Sequence, residues 1–263
     1  MTGSLASAAP RPDSPLHRMQ RVRHELQRRR CTVRSVRPLG PGFVRVQLAG
    51  ESLRSFVSLS FDDHVKVFLP EPAGQPAGDR PTMRDFTPRA FDAAAGTLDI
   101  EFALHGHGPA SHWAAGARPG DVLDIGGPRG SMIVPTDFDW HLLAGDESAL
   151  PAIARRLEEL PPSAQVTALI STRDRADRRA LSTRAELRVH WLDGGEPGAL
   201  AEAAAVHWSV PTGEGFAWAA GEAAESALLR QVLVGQHGLH KARVRVSAYW
   251  KRGRDAHHEP LDG

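Results

Sequence analysis

The pattern of short apolar runs changes once along this chain, near Pro135, and that change limits the possible folds more than any other feature. Before it, alternating apolar and polar residues are separated by glycine and proline clusters, as in antiparallel strands. The predicted strands are Thr32 to Val36, Phe43 to Leu48, Val65 to Leu69, Arg84 to Ala90, Leu98 to Ala103 and Val122 to Ile125, with one helix from Pro109 to Ala117. This pattern predicts a small antiparallel barrel with a helix at one end.

After Pro135, strand-like and helix-like segments alternate. The predicted strands are His141 to Ala144, Gln165 to Ile170, Arg188 to Leu192, Phe216 to Ala219 and Arg243 to Ala248, and the predicted helices are Ser148 to Leu160, Ala199 to Val206 and Ala223 to Leu233. Such alternation predicts a parallel sheet covered on both faces, with a ligand crevice beyond the carboxyl ends of its strands. The fold class is therefore β plus α/β: an N-terminal antiparallel barrel over residues 28–136 and a C-terminal parallel-sheet domain over residues 137–263.

Length and charge limit the function classes. A chain of 263 residues suffices for two domains of roughly 100 to 130 residues each. The formal net charge of +1 gives no reason to expect nucleic acid as a partner. The single cysteine, Cys31, is too few for an internal disulfide or a cysteine-ligated metal centre, and no apolar run approaches the roughly 20 residues of a membrane span. We expect a cytoplasmic protein without a membrane span.

The first 27 residues are predicted to form a disordered, basic tail, because residues 1 to about 15 are rich in small residues and proline and lack apolar periodicity. The basic stretch from Arg18 to Arg30 has two interpretations. It is either a short lead-in helix with solvated arginines or a contact surface for something acidic.

Residues 84 to 131 carry the clearest functional signal. Arg84-Asp-Phe-Thr-Pro-Arg89 combines a cation, a planar ring and a hydroxyl, and His105-Gly-His-Gly-Pro-Ala-Ser-His-Trp113 places glycine, proline and serine before a helix, where free backbone N–H groups can receive a pyrophosphate. Gly127-Pro-Arg-Gly-Ser131 follows the last barrel strand. These motifs predict a flavin-dinucleotide cradle. A metal site at His105, His107 and His112 is not predicted, because no carboxylate or cysteine lies at suitable spacing.

The order of these motifs, followed by Gly145-Asp-Glu-Ser-Ala-Leu-Pro-Ala-Ile and Ala220-Gly-Glu-Ala223, resembles the siderophore-interacting proteins from about Cys31 to Arg254. Members of that family are FAD-dependent ferric-siderophore reductases of the ferredoxin reductase-like superfamily. The resemblance implies a flavoprotein that passes electrons from NADPH or NADH to Fe(III)-siderophores and releases Fe(II). It makes the barrel the FAD-binding domain and the parallel sheet the NAD(P)H-binding domain.

The resemblance also implies roles for residues of the barrel. Arg84 binds the FAD pyrophosphate, Phe86 stacks on the flavin and Thr87 offers its hydroxyl; the family usually has tyrosine at the position of Phe86, so a phenol hydroxyl is lost here. Arg89 is a weaker candidate, because its odd spacing from Arg84 places the two side chains on opposite faces of a strand. The other flavin-site candidates are His64, Val65, Lys66, His105, Gly108, Pro109, Ala110, Ser111 and Trp113.

Asp146, Glu147 and Ser148 follow a buried strand and open a helix, where a dinucleotide meets a helix N-terminus. Gly-x-Gly-x-x-Gly is absent, but the segment resembles the superfamily's own version; a capped helix explains Asp146 and Ser148 equally well. Gly221, with Glu222 beside it, admits a close approach by the nicotinamide. Arg173 favours the 2′-phosphate of NADPH over NADH.

The resemblance implies a basic rim for ferric siderophores, which are bulky, oxygen-ligated and frequently anionic. Lys66, Arg129, Lys251 and Arg252 match the family positions, although surface ion pairs account for them as well. No catalytic side chain is predicted, because electron transfer to iron requires no general base. Two alternatives remain open: a general NAD(P)H:flavin or ferredoxin-coupled reductase whose basic stretch docks an acidic ferredoxin, and a non-catalytic siderophore-binding protein.

Overall fold

Two β-sheets of different construction organise the chain. The computed structural model describes residues 19–70, 81–104, 108–194, 197–253 and 259–260. Within these ranges, a seven-stranded antiparallel sheet is followed by a six-stranded sheet whose first five strands run parallel, as the sequence predicted. The change from one sheet to the other falls between residues 133 and 140.

The described part of the N-terminal half contains nine strands. The strands are β1 (Gln20–Arg23), β2 (Arg28–Gly40), β3 (Phe43–Ala49), β4 (Val65–Leu69), β5 (Thr82–Phe86), β6 (Ala90–Asp92), β7 (Thr97–Ala103), β8 (Val122–Gly126) and β9 (Gly130–Ile133). The barrel sheet has the order β5-β4-β8-β2-β3-β7-β6, and β1 pairs separately with β9. A 3-10 helix, Glu51–Ser55, and helix α1, Pro109–Gly116, interrupt the strands.

Apolar side chains from one face of each strand form the barrel interior. On β3, Val44, Val46 and Leu48 are buried, and on β7 Leu98, Ile100 and Phe102 are buried opposite them. Successive side chains on a strand point to opposite faces, so these apolar residues fill one side of the sheet. Helix α1 contacts β3, β4 and β7, which places it against the barrel sheet.

The C-terminal half alternates strands and helices. Its elements are β10 (Trp140–Gly145), α2 (Leu150–Glu159), β11 (Gln165–Thr172), β12 (Glu186–Asp193), α3 (Ala199–His207), β13 (Gly215–Glu222), α4 (Ala223–Gln231), β14 (Val244–Trp250) and β15 (Glu259–Pro260), with short turns of helix at Arg175–Asp177, Val232–Gln236 and Lys241–Arg243. The sheet order is β12-β11-β10-β13-β14-β15, and β15 runs antiparallel.

Both faces of this sheet are covered, which confirms the expectation from the alternating pattern. Helix α2 packs on the face that carries Leu143 and Trp218, together with Phe43 and Phe61 of the barrel half. Helices α3 and α4 pack on the opposite face, around Leu142. The first face of the sheet is therefore continuous with the barrel.

The structure corrects two predictions in the barrel half. The lead-in helix over Arg18 to Arg30 is wrong, because residues 20–23 form strand β1 and β2 begins at Arg28. The arginines there are also not all solvated, since Arg29 is buried and donates to the carbonyls of Ser52, Ser55 and Gly127.

The predicted strand from Arg84 to Ala90 is two strands, β5 and β6, separated by Thr87, Pro88 and Arg89. Proline has no N–H for the ladder, so the chain leaves the sheet after Phe86. Alternation along one strand therefore says nothing about the relative directions of Arg84 and Arg89.

Helix α2 joins the two halves through buried arginines. Arg155 donates to the hydroxyl of Ser58 at 2.8 Å, to the Ser58 carbonyl at 3.0 Å and to the Pro88 carbonyl at 2.9 Å. Arg156 donates to the carbonyls of Val134 at 3.1 Å and Pro135 at 2.6 Å. Each guanidinium therefore satisfies carbonyl groups that burial would otherwise leave without donors.

A buried carboxylate, Glu101 on β7, holds a second contact between the halves. Its side chain has no exposed surface and it contacts Arg45 at 2.5 Å, Arg89 at 3.6 Å and the guanidinium of Arg179. Arg179 belongs to the C-terminal half, and Arg89 also pairs with Glu158 of α2 at 2.5 Å. Removing the negative charge of Glu101 would leave three neighbouring arginine side chains with less negative charge to offset their mutual repulsion.

We expect Glu101→Gln to destabilise the protein by about 3 kcal/mol, because it breaks a buried ion network from one side. The thermal midpoint measured by calorimetry should fall by roughly 10 °C. Glu51→Gln makes the same change of charge at a side chain that is 86% exposed and pairs with Arg54, and it should shift the midpoint by less than about 2 °C. Equal shifts for the two variants would contradict a structural role for the Glu101 network.

Candidate functional site

Three aromatic side chains lie together beside helix α1. The ring of Phe86 is 4.4 Å from that of Phe102, and Phe102 is 5.4 Å from Trp113 of α1. Phe86 is half-buried at the end of β5, whereas Phe102 is fully buried. One predicted ring therefore rests on the barrel core and keeps part of its surface open.

The first turn of α1 has no side-chain cap among the described residues. Gly108 precedes the helix with φ 80° and ψ 156°, and Pro109 occupies the first turn. No atom of the described part of the chain lies within 4 Å of a Cβ placed on Gly108. Ser111, also predicted, is buried in the same turn, while Ala110 and Trp113 pack on the barrel core. His105 lies outside the described residues.

The predicted cations of this region have different surroundings. Arg84 is half-buried on β5 and donates to the Met83 carbonyl at 2.9 Å, and Thr87 is buried just beyond it. Arg89 is buried and paired with Glu158 and Glu101. Burial opposes the charge of Arg89, but these carboxylates raise its pKa. Its guanidinium is part of the junction between the halves, and this arrangement does not fit the phosphate contact considered for it.

His64 directly precedes β4, which begins with Val65 and Lys66. Val65 is fully buried, and His64 is half-buried. Lys66 is exposed, but its ammonium lies 2.6 Å from the Asp85 carboxylate. The loop after β8 is next to this strand, since a Cβ on Gly127 would lie 3.8 Å from the His64 carbonyl. That loop carries the exposed Arg129, so two predicted rim cations belong to one end of β4 and β8.

The second half contains an open cleft at the carboxyl ends of its parallel strands. It is lined in part by Asp146, Glu147, Ser148, Arg173, Glu222, Trp250 and Arg252. Parallel strands place their following loops at one edge, as expected for a nucleotide crevice. The structure thus brings together every predicted residue of the coenzyme half, including Gly221, which adjoins Asp146.

The carboxylates of this cleft accept hydrogen bonds from backbone amides. Glu147 is buried and accepts the Arg173 amide at 2.5 Å; burial raises its pKa, and Arg173 opposes that shift. Glu222 caps α4 by accepting the amides of Ala224 and Glu225 and also accepts the amide of Arg252 at 3.2 Å. Burial pushes the pKa of Glu222 up, but these amides lower it below its ordinary value.

Two guanidinium groups face the cleft among these acids. The side chain of Arg173 is 53% exposed, lies 3.6 Å from Glu147 and stands 5.9 Å over the Trp250 ring. Arg252 is exposed and lines the same cleft. It was predicted for the siderophore rim, but it lies in the predicted coenzyme cleft. Lys251 is exposed beside it.

Sequence reasoning missed Trp250 and Glu225 as cleft residues. Trp250 ends β14, at the same sheet edge as the predicted loops, and that position was the available signal. Glu225 accepts the amides of Gly198 and Ala201 and thereby joins α4 to the start of α3. No pattern of spacing points to that contact.

Comparison with known proteins identifies the family. A model described as the siderophore-interacting FAD-binding domain matches residues 32–132, and one described as siderophore-interacting protein matches residues 138–253. The chain is 39% identical over 248 residues to the NADPH-dependent ferric-chelate reductase of Escherichia coli (strain K12), covering 88% of this chain and 96% of that protein. The chain belongs to the siderophore-interacting protein family.

Two further proteins are similar to this chain along most of their length. The ferric vibriobactin reductase ViuB of Vibrio cholerae is 32% identical over 236 residues, covering 82% of this chain and 87% of that protein. The crystal structure of a siderophore utilization protein from T. fusca superposes with a TM-score of 0.83 at 36% identity, covering 91% of this chain and 98% of that one.

The barrel residues of this family member fit FAD. The open turn at Gly108 with its uncapped amides suits a pyrophosphate, Arg84 supplies a cation, and the half-buried Phe86 offers a ring face. FAD, when bound, accepts a hydride and can release electrons one at a time. The turn, the cation and the ring are the groups that would hold it.

Two features are absent from the described residues. None of the helices there is both long and apolar enough to cross a membrane. In the same ranges, no cluster of three or more His, Cys, Asp or Glu side chains is arranged to hold a metal ion; His105 and His107 lie outside them.

We expect Gly108→Ala to weaken FAD binding, because its φ and ψ lie in a region that costs other residues about 1–3 kcal/mol. The dissociation constant of FAD, followed by flavin fluorescence after dilution, should rise roughly tenfold. Gly116→Ala is the matched control: it also has open space at its Cβ but no positive φ. An unchanged dissociation constant for Gly108→Ala would argue against a pyrophosphate at this turn.

Proposed function

We propose that this protein is an FAD-dependent reductase that passes electrons from NADPH to Fe(III)-siderophores and releases Fe(II). The family match and the names of two relatives, a ferric-chelate reductase and a ferric vibriobactin reductase, support this function. The observation that carries it is the coincidence in one chain of an uncapped helix turn beside an aromatic ring with a separate cleft at the strand ends.

The proposed reaction balances as one NADPH and two Fe(III) giving NADP⁺, two Fe(II) and one proton. Hard oxygen ligands bind the ferric ion more strongly than the larger, less charged ferrous ion, so reduction loosens the chelate. In this proposal the residues of the chain bind and orient the cofactor, the coenzyme and the ferric chelate. No general base is assigned, because the transfer of an electron to iron moves no proton on the protein.

Arg173 supports NADPH as the coenzyme. The acids around it already accept backbone amides, and its guanidinium keeps half of its surface open to the cleft. A guanidinium matches a phosphate through paired hydrogen bonds. The relative from Escherichia coli is named NADPH-dependent. A cytoplasmic location, where such coenzymes are present, is part of the proposal.

We expect Arg173→Ala to raise the KM for NADPH about tenfold and to leave the KM for NADH within about twofold, because only NADPH carries the 2′-phosphate. Steady-state formation of Fe(II), captured by a ferrous chelator, measures both constants. Arg175→Ala is the control: this neighbouring arginine is exposed and bound to Asp193 rather than lining the cleft. Equal loss with both coenzymes would contradict phosphate recognition by Arg173.

The exposed cations Arg129, Lys251 and Arg252 support an anionic ferric chelate as the substrate. Lys66 contributes less to this argument, because Asp85 neutralises its ammonium. Surface charges act through their local field, so their loss should weaken binding more than turnover.

We expect Arg129→Ala to raise the KM for an anionic ferric siderophore about fivefold while the KM for a small neutral electron acceptor stays within twofold. Arg188→Ala removes the same charge from the far edge strand β12, where the side chain is 78% exposed, and should change neither constant. If Arg129→Ala affects both acceptors equally, the basic rim is wrong.

A ferredoxin as electron donor is the second candidate, favoured by the exposed Arg21, Arg23 and Arg30 on β1 and β2. Reduction of the ferric substrate by NADPH alone at a rate that an added ferredoxin does not increase would exclude it. A protein that binds ferric siderophore but turns over with neither donor would be a non-catalytic binder.

A further inference from the structure

Trp250 forms one wall of the coenzyme cleft and is held there by a single hydrogen bond to a carboxylate. Its indole Nε1 donates to Asp146 Oδ2 at 2.8 Å, and its ring lines the cleft opposite Arg173. The next residues of the chain, Lys251 and Arg252, carry the exposed cations. The position of this one side chain therefore bears on both the coenzyme cleft and the cationic segment.

Asp146 accepts four hydrogen bonds, two on each oxygen. Oδ1 accepts the Ser148 amide at 2.9 Å and the Ser148 hydroxyl at 2.6 Å, and Oδ2 accepts the Glu222 amide at 2.9 Å and the Trp250 indole. An ionised carboxylate has about four acceptor sites. Asp146 thus has no acceptor site left for a ribose hydroxyl or a carboxamide of the coenzyme.

The same carboxylate joins the ends of three strands. Asp146 follows β10, Glu222 ends β13 and Trp250 ends β14. The pairing of β13 with β14 shifts register between Gly221 and Glu222, which brings Glu222 opposite Trp250. A Cβ at Gly221 would lie only 2.7 Å from Asp146 Oδ2, so glycine is needed for this approach.

The residue before Trp250 is anchored from the other side. Tyr249 donates its hydroxyl to Asp62 Oδ1 at 2.9 Å, and Arg245 of the same strand binds the other oxygen of Asp62. Asp62 belongs to the barrel half, two residues before His64. The end of β14 is therefore fixed between a carboxylate of each half, and Asp146 holds the side that faces the coenzyme cleft.

We propose that Asp146 is a positioning residue: its carboxylate holds Trp250 as the end wall of the coenzyme cleft and does not itself contact the coenzyme. The proposal deepens the proposed function, since it takes the cleft to be the NADPH site. It also differs from the sequence prediction, which made Asp146 a direct contact.

The test is a double-mutant cycle on the FAD-loaded protein, with the dissociation constant of NADP⁺ measured by calorimetry. Asp146→Asn places an N–H against donors that need an acceptor, and Trp250→Phe keeps a ring but removes the indole donor. Each should raise the dissociation constant about tenfold, and the double variant should also lose about tenfold rather than a hundredfold, because both remove one interaction. Arg175→Ala, an exposed residue bound to Asp193 outside the cleft, is the control and should lose less than about threefold.

Two outcomes would overturn the proposal. If Trp250→Phe binds NADP⁺ as the unmodified protein does while Asp146→Asn binds it weakly, Asp146 acts without Trp250. If the losses multiply in the double variant, the two residues act independently, as expected for a direct contact by Asp146. Should Asp146→Asn fail to fold, Trp250→Phe alone still decides, because a loss below twofold contradicts the proposal.

Exchange of the Trp250 indole proton gives a readout that does not depend on turnover or on coenzyme. In protein labelled with ¹⁵N-tryptophan, Asp146→Asn should make this proton exchange at least about tenfold faster, because its acceptor is lost. An unchanged rate would refute the contact. If the unmodified protein binds no NADP⁺ but the exchange rate changes as expected, the proposed coenzyme is wrong while the contact between Asp146 and Trp250 stands.

Discussion

The position of helix α2 against the barrel is the constraint on which the rest of the structure depends. Arg155 and Arg156 are buried and donate to hydroxyl and carbonyl oxygens of the barrel half, including the Pro88 carbonyl two residues beyond Phe86. The same helix begins directly after the Asp146 to Ser148 loop. One rigid element therefore connects the aromatic ring of the flavin half to the coenzyme loop. These buried charged hydrogen bonds oppose movement of helix α2, because breaking one leaves a buried charge without a partner or water.

Acidic side chains around the coenzyme cleft accept hydrogen bonds from the backbone, and two arginine side chains line the same cleft. Asp146, Glu147, Glu222 and Glu225 each accept at least one main-chain amide, so they join loops and cap a helix. A cleft with that many acids would otherwise repel a phosphate. The amides that these acids accept offset part of their negative field, and Arg173 and Arg252 are the cations that line the same cleft.

The sequence was enough to predict the two sheets and the convergence of the coenzyme residues, because strand alternation and the common edge of parallel strands are local rules. Sequence-based prediction failed for residues whose burial or position depends on tertiary contacts. Arg29 and Arg89 are basic residues in basic or motif-like surroundings, yet each is buried among partners that are distant in sequence. Pro88 divides what looked like one strand. Trp250 was part of a recognised segment, but only the register shift between β13 and β14 brings it to Asp146.

An anaerobic titration of the purified protein tests the central claim most directly: that electrons enter from NADPH, reside on a bound flavin and leave to siderophore-bound iron. The visible flavin absorbance should bleach with one NADPH per FAD and return after addition of two equivalents of ferric siderophore, with two Fe(II) captured. A protein whose flavin absorbance is unchanged by NADPH, or whose bleached flavin is not restored by ferric siderophore, would contradict the account.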